Sequence, residues 1–241
     1  MTGATRTDDP SARRQGRSAL NSLRFRLVDS PDSYGAKRRA RRARWLSDTF
    51  PDLAEMSVLD LGGRVDSWSR VPVRPRHVHV VNLEPLPAEL PAGMEADHAD
   101  ACDLPPAILS RRYDLVFSNS VLEHVGGHEQ RRRMAEAIRE LAPRHWVQTP
   151  YRYFPVEPHW VAPGMQFLPV PARVAVARKW PLAYTPGKSW EQAMKQVLTT
   201  ELIGRAELRY LFPDSTIRAE RMLGLTKSII AVRTAGADPG P

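Results

Sequence analysis

The sequence predicts an α/β fold organised on a buried parallel sheet, and three observations carry that expectation. Val58-Leu59-Asp60-Leu61 is an apolar run broken by one acid, of the length of a strand covered on both faces. It runs into Gly62-Gly63, a pair that allows a tight turn with positive φ and brings a ligand close to bare backbone. A second apolar stretch, His77 to Leu83, ends in Glu84 about twenty residues after the glycines.

Asp60 falls at the carboxyl end of the first strand, where open α/β sheets bind their ligands. A carboxylate there pairs with a cationic group. An acid closing the second strand is the place where doubly wound folds hold ribose hydroxyls, so Glu84 with the glycine turn implies a nucleoside-cofactor site.

Two further blocks follow in order: Asp100-Ala101-Cys102-Asp103-Leu104-Pro105, then Tyr113-Asp114-Leu115-Val116-Phe117-Ser118-Asn119-Ser120-Val121-Leu122-Glu123-His124-Val125. With these, residues Val58 to Val125 resemble the class I S-adenosylmethionine-dependent methyltransferases of the type 11-like group. The resemblance implies a Rossmann-like, seven-stranded, mostly parallel sheet with an antiparallel last strand and helices on both faces. It implies S-adenosylmethionine as cofactor and leaves the acceptor undefined.

The remaining elements read as follows. Residues 1–35 form a basic segment: Met1 to Gly16 is polar and expected to be disordered, and Ser18 to Val28 reads equally as a short packed helix or an interfacial one. Ser30-Pro31-Asp32-Ser33 is a turn and helix cap. The domain itself is expected over 36–233, opening with a helix from Ala36 to Phe50, apolar at Trp45, Leu46 and Phe50 and stopped by Pro51. Strand one is Met56–Leu61, strand two His77–Leu83, strand three Met94–Ala99, strand four Tyr113–Asn119 and strand five His145–Thr149. Pro85, Pro87 and Pro91 make the connection after strand two irregular, where the resembled fold usually has a helix. Gln130 to Leu141 is an amphipathic helix.

After strand five the alternation stops. Residues 150–169 are dense in proline and aromatics, which forbids a long helix or a central strand. A long irregular segment at the carboxyl end of a strand reads as a binding loop or lid, against the plainer reading of a flap that plugs the sheet edge. With short helices at Val170–Lys179 and Ser189–Val197 it makes a cap insertion of about residues 150–200 after strand five. Thr199 or Thr200 with Glu201 is expected to open a last helix to Leu211. Thr216–Met222 and Ser228–Arg233 pair around Gly224, and 234–241 is a small, disordered tail.

By resemblance, Asp60, Gly62 and Gly63 face the methionine part of the cofactor and Glu84 its ribose. Asp100 and Ala101 meet the adenine, and Asn119 and Ser120 border the sulfonium and acceptor pocket. Arg64, Asp66 and Trp68 stand where related chains continue with small residues, so the methionine end is expected to be shaped differently. An oxygen acceptor with a high pKa needs a base. The candidates are Glu123, His124, His128, Glu157 and His159, with His124 first and a helix-capping histidine its plainer reading. Tyr151, Tyr153, Phe154 and Trp160, with Glu157, are the expected acceptor-binding groups, because aromatic rings stack on sugar or ring faces. No metal is expected. His124 and His128 are four apart, but Val125-Gly126-Gly127 between them reads as loop, with no third ligand at matching spacing. The similar ubiquinone-type O-methyltransferases use an acid three residues before the Glu-His pair to help bind a metal, and that position here is Ser120.

Composition bounds the rest. The 241 residues suffice for one core, and no apolar run is long enough to span a membrane. The N-terminus has arginines without an apolar stretch, unlike a secretory signal, and a single cysteine, Cys102, fits the reducing cytoplasm. The net charge of +8 is local: residues 1–44 hold twelve basic and four acidic groups of the chain's 35 and 27, which leaves the body at 23 of each. The run Lys37–Arg42 reads first as a solvated helix face, then as a nucleic-acid or anionic-membrane contact. The expected function is therefore methyl transfer to a small-molecule or glycan acceptor, at oxygen. The alternatives are an RNA methyltransferase with a basic arm, and a cofactor-binding partner protein that has lost catalysis. The oligomeric state is left open.

Overall fold

The computed structural model describes residues 34–85, 87–180, 182 and 189–234. The expectations for the segment before residue 34, and for the tail from 235, lie outside those residues.

Seven strands form one sheet: β1 (Ser57–Leu61), β2 (His77–Asn82), β3 (Met94–His98), β4 (Leu115–Asn119), β5 (His145–Pro150), β8 (Thr216–Met222) and β9 (Leu225–Arg233). Their order is β3-β2-β1-β4-β5-β9-β8. The first five are parallel to one another, and β9 enters antiparallel to β5 and to β8. This is the Rossmann-like sheet with a reversed last strand that the resemblance implied. β6 (Val156–Glu157) and β7 (Ala162–Pro163) form a separate two-stranded ribbon.

Alternation along β1 decides which residue faces what, because successive side chains in a strand point to opposite faces. Leu59 and Leu61 face helices α3 (His128–Leu141) and α6 (Arg205–Leu211), in a core with Met134, Ile138, Leu208, Phe212 and Ile108 of the short helix α2 (Pro106–Leu109). Val58 belongs to the other core, built on helix α1 (Tyr34–Thr49) with Leu46, Phe50, Trp68, Val80 and Trp146. Asp60, two residues after Val58, therefore points to the α1 face at the carboxyl end of the sheet.

That face is thinly covered. A single stretch of 3-10 helix, Val65–Arg70, fills the crossover from β1 to β2, and the proline-rich crossover from β2 to β3 has no helix among the described residues. Proline removes backbone donors and fixes φ, so three of them within seven residues exclude a regular helix. Cover falls to α1 instead. Trp45 meets Trp146 edge-to-face at 5.4 Å, and buried Arg38 pairs with buried Glu220 on β8 at 2.8 Å. The basic run is thus only in part a solvated face.

Between β5 and α6 the chain leaves the sheet. It makes the β6–β7 ribbon, helix α4 (Val170–Lys179) and helix α5 (Trp190–Leu198), whose Ser189 and Gln192 form a capping box. Trp160, Ala162, Met165, Val174, Ala177, Ala193 and Val197 give this cap a small core of its own. The last helix starts later than expected. Thr200 and Glu201 do not open it; it begins at Arg205 with Gly204 as its N-cap. The backbone before it is pulled into tertiary pairing: Glu201 N–H donates to the Glu123 carbonyl, Arg152 N–H donates to the Ile203 carbonyl, and Tyr151 bridges to Ile203.

Candidate active site

The glycine turn is held on both sides. Gly62 has φ +75° and donates its N–H to the Val81 carbonyl at 2.7 Å. A Cβ on Gly62 would fall 2.4 Å from Val121, and one on Gly63 would fall 1.7 Å from Asp60 Oδ2. Asn82 at the end of β2 donates to the carbonyls of Gly62 and Gly63. Two bare glycines are therefore required at this point by packing alone.

Asp60 lies beneath the turn, 1 % exposed. The indole N–H of Trp68 donates to its Oδ2 at 2.7 Å, while Oδ1 is buried with no hydrogen-bond partner. Burial pushes the carboxyl up to about 7, against the pull of the indole donor. Around it opens a cavity of about 690 Å³, walled by α1, the glycine turn, Trp68, Phe117, Asn119 and Trp146. A buried acid with one oxygen unsatisfied, in the wall of such a cavity, is arranged for a cationic group.

The other expected cofactor residues surround this end of the sheet. Glu84 is exposed and pairs with Arg64 at 3.1 Å, so the arginine that replaces a small residue reaches the acid expected to hold ribose. Asp100 accepts the Cys102 N–H at 2.8 Å and Ala101 is buried, which fixes the loop after β3. Burial, then the adjacent Asp100, pushes the Cys102 thiol up to about 12, which leaves it inert. Asn119 accepts from Arg42, which also donates to Gln148. Ser120 has φ +59°, a left-handed conformation rare for a residue with a Cβ, at the turn out of β4. Arg42, Arg64, Trp68 and Gln148 were not selected as site residues from the sequence. Trp68 and Arg64 left a signal as departures from small residues; Arg42 and Gln148 left none.

The catalytic candidates come together beyond the ends of β4 and β5. Glu123 is fully buried and accepts from Thr149 Oγ1 at 2.9 Å, with Oε1 unpartnered. Its Oε1 is 3.9 Å from His159 Nε2. His159 comes from the β6–β7 connection, and its Nδ1 is 2.7 Å from Glu157 Oε1. Glu157, 2 % exposed, is fixed in turn through Oε2 by the backbone N–H groups of His159 and Trp160. His124 Nε2 lies 3.0 Å from His159 Nε2. Burial pushes Glu123 up to about 7, with His159 opposing, and burial with the neighbouring His159 takes His124 down to about 4. Both carboxylate oxygens of Glu157 are thus engaged within the β6–β7 connection. His128 lies apart from the group, on α3 beside Glu207 and Tyr210.

The aromatics divide. Trp160 and Phe154 are buried, Trp160 in the core of the cap, and neither presents an open ring face. Tyr153 is exposed, stacked against Phe167 at 6.3 Å and edge-on to Tyr151 at 5.5 Å, and Arg205 lies over the Tyr151 ring. Aromatic residues in a proline-rich segment serve core and surface alike, so composition alone does not separate them.

A methyltransferase-domain family matches residues 34–197, most of the chain, from α1 through the five parallel strands and the cap. The chain belongs to that family. Solved structures add the fold: a DhpI–SAH complex is 14 % identical, with 92 % of this chain and 97 % of that one covered at a TM-score of 0.52. The CurJ carbon methyltransferase is 11 % identical at a TM-score of 0.52, with 94 % of this chain but only 61 % of that one covered. A putative Zn-dependent alcohol dehydrogenase from Rhodobacter sphaeroides is 9 % identical at the same TM-score of 0.52, with 88 % of this chain and 92 % of that one covered. No curated protein sequence matches the chain. As a methyltransferase-family domain the chain has no helix, among the described residues, long and apolar enough to cross a membrane.

Proposed function

We propose that the protein transfers a methyl group from S-adenosylmethionine to an oxygen of a small-molecule or glycan acceptor in the cytoplasm. The observation that carries the cofactor is Asp60, a buried acid with one unpartnered oxygen in the wall of the cavity beside the glycine turn. A cationic aminoacyl group placed there satisfies that oxygen and lowers the cost of ionising the acid. Glu84 accepts from ribose hydroxyls in exchange for Arg64, and Asp100 with the Ala101 N–H meets the adenine. The cofactor's sulfonium makes its methyl group electrophilic. The chain's own part is to hold an acceptor in line and exclude water, with the cap and the ends of β4 and β5 as walls. The group of Glu123, His124 and His159 activates the acceptor hydroxyl, and Tyr151 with Tyr153 offers the accessible ring faces for a sugar or planar acceptor.

Titration calorimetry with S-adenosylhomocysteine tests this reading. Micromolar binding is expected, weakened about ten-fold, or about 1.4 kcal/mol, in Asp60→Asn and in Glu84→Ala. Wild-type protein that takes up no S-adenosylhomocysteine overturns the cofactor and with it the reaction.

A further inference from the structure

Four side chains at the seam between cap and sheet are arranged in a way that general-base chemistry does not explain. Glu123 and Glu157 are both carboxylates, 0 % and 2 % exposed. Among the described residues no lysine or arginine pairs with either of them. Two buried carboxylates against one imidazole are costly to ionise without a compensating cation. The histidine tautomers sharpen the point. An ionised Glu157 only accepts, so His159 Nδ1 carries the proton and its Nε2 lone pair points away from Glu157. His124 has Thr200 Oγ1 at 3.5 Å from Nδ1, which again leaves Nε2 turned inward. The two Nε2 atoms face each other at 3.0 Å, and the unpartnered Glu123 Oε1 completes the group. One ligand atom from each of Glu123, His124 and His159 lies within 4.8 Å of the others.

We propose that Glu123, His124 and His159 bind a divalent transition metal, of which zinc is the type, with Glu157 as the outer partner that orients His159. Two nitrogens on one tetrahedral zinc, each at about 2.0–2.1 Å, sit about 3.3 Å apart, close to the spacing found here. Two imidazoles and one carboxylate are the donors of a catalytic zinc, with a fourth position open. A carboxylate on the far ring nitrogen of a ligating histidine is the usual second support. The resembled ubiquinone-type site uses an acid at the position that is Ser120 here; this one takes its third ligand from the cap instead. Metal binding thereby pins the cap to the ends of β4 and β5. If the reading as a methyltransferase holds, the open position would take the acceptor oxygen and lower its pKa, so that the hydroxyl gives its proton to solvent and the oxygen takes the methyl group as the carbon–sulfur bond breaks and S-adenosylhomocysteine leaves. The other acid–histidine group, His79 with Glu95 and Asp97, lacks these features: Arg111 already neutralises Glu95, and Tyr113 and Asp97 occupy both ring nitrogens of His79.

The test uses the full-length protein, stripped with a chelator and titrated with Zn²⁺ alone, then with Co²⁺. The expected result is one equivalent of Zn²⁺ bound, a raised Tm, and the intense visible absorption of four-coordinate cobalt. His124→Ala and His159→Ala lose the site, Glu157→Gln weakens it 10- to 100-fold, and His98→Ala, an exposed histidine outside the group, leaves it intact. Circular dichroism of each variant separates loss of metal from loss of fold, and the two histidine variants serve where a Glu123 substitution fails to fold. Zn²⁺ bound at well under one equivalent, or bound equally by His159→Ala, overturns the proposal. S-adenosylhomocysteine binding without metal removes the metal site and keeps the cofactor; metal binding without S-adenosylhomocysteine does the reverse.

Discussion

Trp68 donates its indole N–H to Asp60 at 2.7 Å, and so a bulky residue in the glycine loop holds the acid that closes β1. In Trp68→Phe both carboxyl oxygens are left buried without a donor. A stranded polar group costs about 1–3 kcal/mol. The unfolding free energy is expected to fall by that much, seen as a lower urea midpoint with an unchanged m-value; an unchanged midpoint would show that the indole bond contributes nothing.

The Asp60 carboxyl, raised to about 7 by burial, is about half protonated at neutral pH. A cation bound beside Oδ1 favours the ionised form and lowers that pKa. S-adenosylhomocysteine binding at pH 7 should therefore release up to about half a proton, and at pH 9, where the acid is already ionised, almost none. Calorimetry in two buffers of different ionisation enthalpy measures this; proton uptake at pH 7 would contradict it.

Gly63→Ala puts a methyl group 1.7 Å from the Asp60 carboxylate, so the buried acid must shift. Binding of S-adenosylhomocysteine should be lost and the domain destabilised. Gly204→Ala, whose added methyl meets only the Tyr153 ring at 3.6 Å, should cost no more than about 1 kcal/mol. Equal effects of the two would mean that the glycine turn is not specially crowded.

His145 is fully buried and burial takes its pKa down to about 3, with Arg233 and Arg139 adding repulsion. Its folded pKa lies below the unfolded value of about 6.5, so the unfolded chain binds the extra proton in between. The stability it contributes is complete above pH 6.5 and is lost as pH falls toward 3, by about 2 kcal/mol at pH 5. Urea unfolding at pH 7 and pH 5 should show His145→Gln losing less than the wild type across that interval.

The sheet was legible because each strand carries its own signal. Val58–Leu61 and His77–Asn82 are apolar runs bounded by turn residues, and periodicity survives whatever packs against it. The start of α6 was not. Thr200 and Glu201 read as a cap, but the strip before Arg205 donates to Glu123 and accepts from Arg152, both from distant parts of the chain. Trp160 failed in the same way: a ring suited to stacking on a ligand is equally suited to filling the core of the cap.

The sequence by itself determined the parallel sheet, the glycine turn and the acids at the strand ends, because those depend on local spacing along a strand, and its motifs carried the resemblance to the family. Tertiary structure alone decided that Trp68 binds Asp60, that Arg64 reaches Glu84, and that His124 finds His159 rather than His128. His128 is four residues from His124 but begins helix α3, whereas His159 is thirty-five away and is brought in by the cap. Distance through space is set by how the layers close on one another, and pairs so far apart in sequence leave no periodic trace for a reader of the chain to follow.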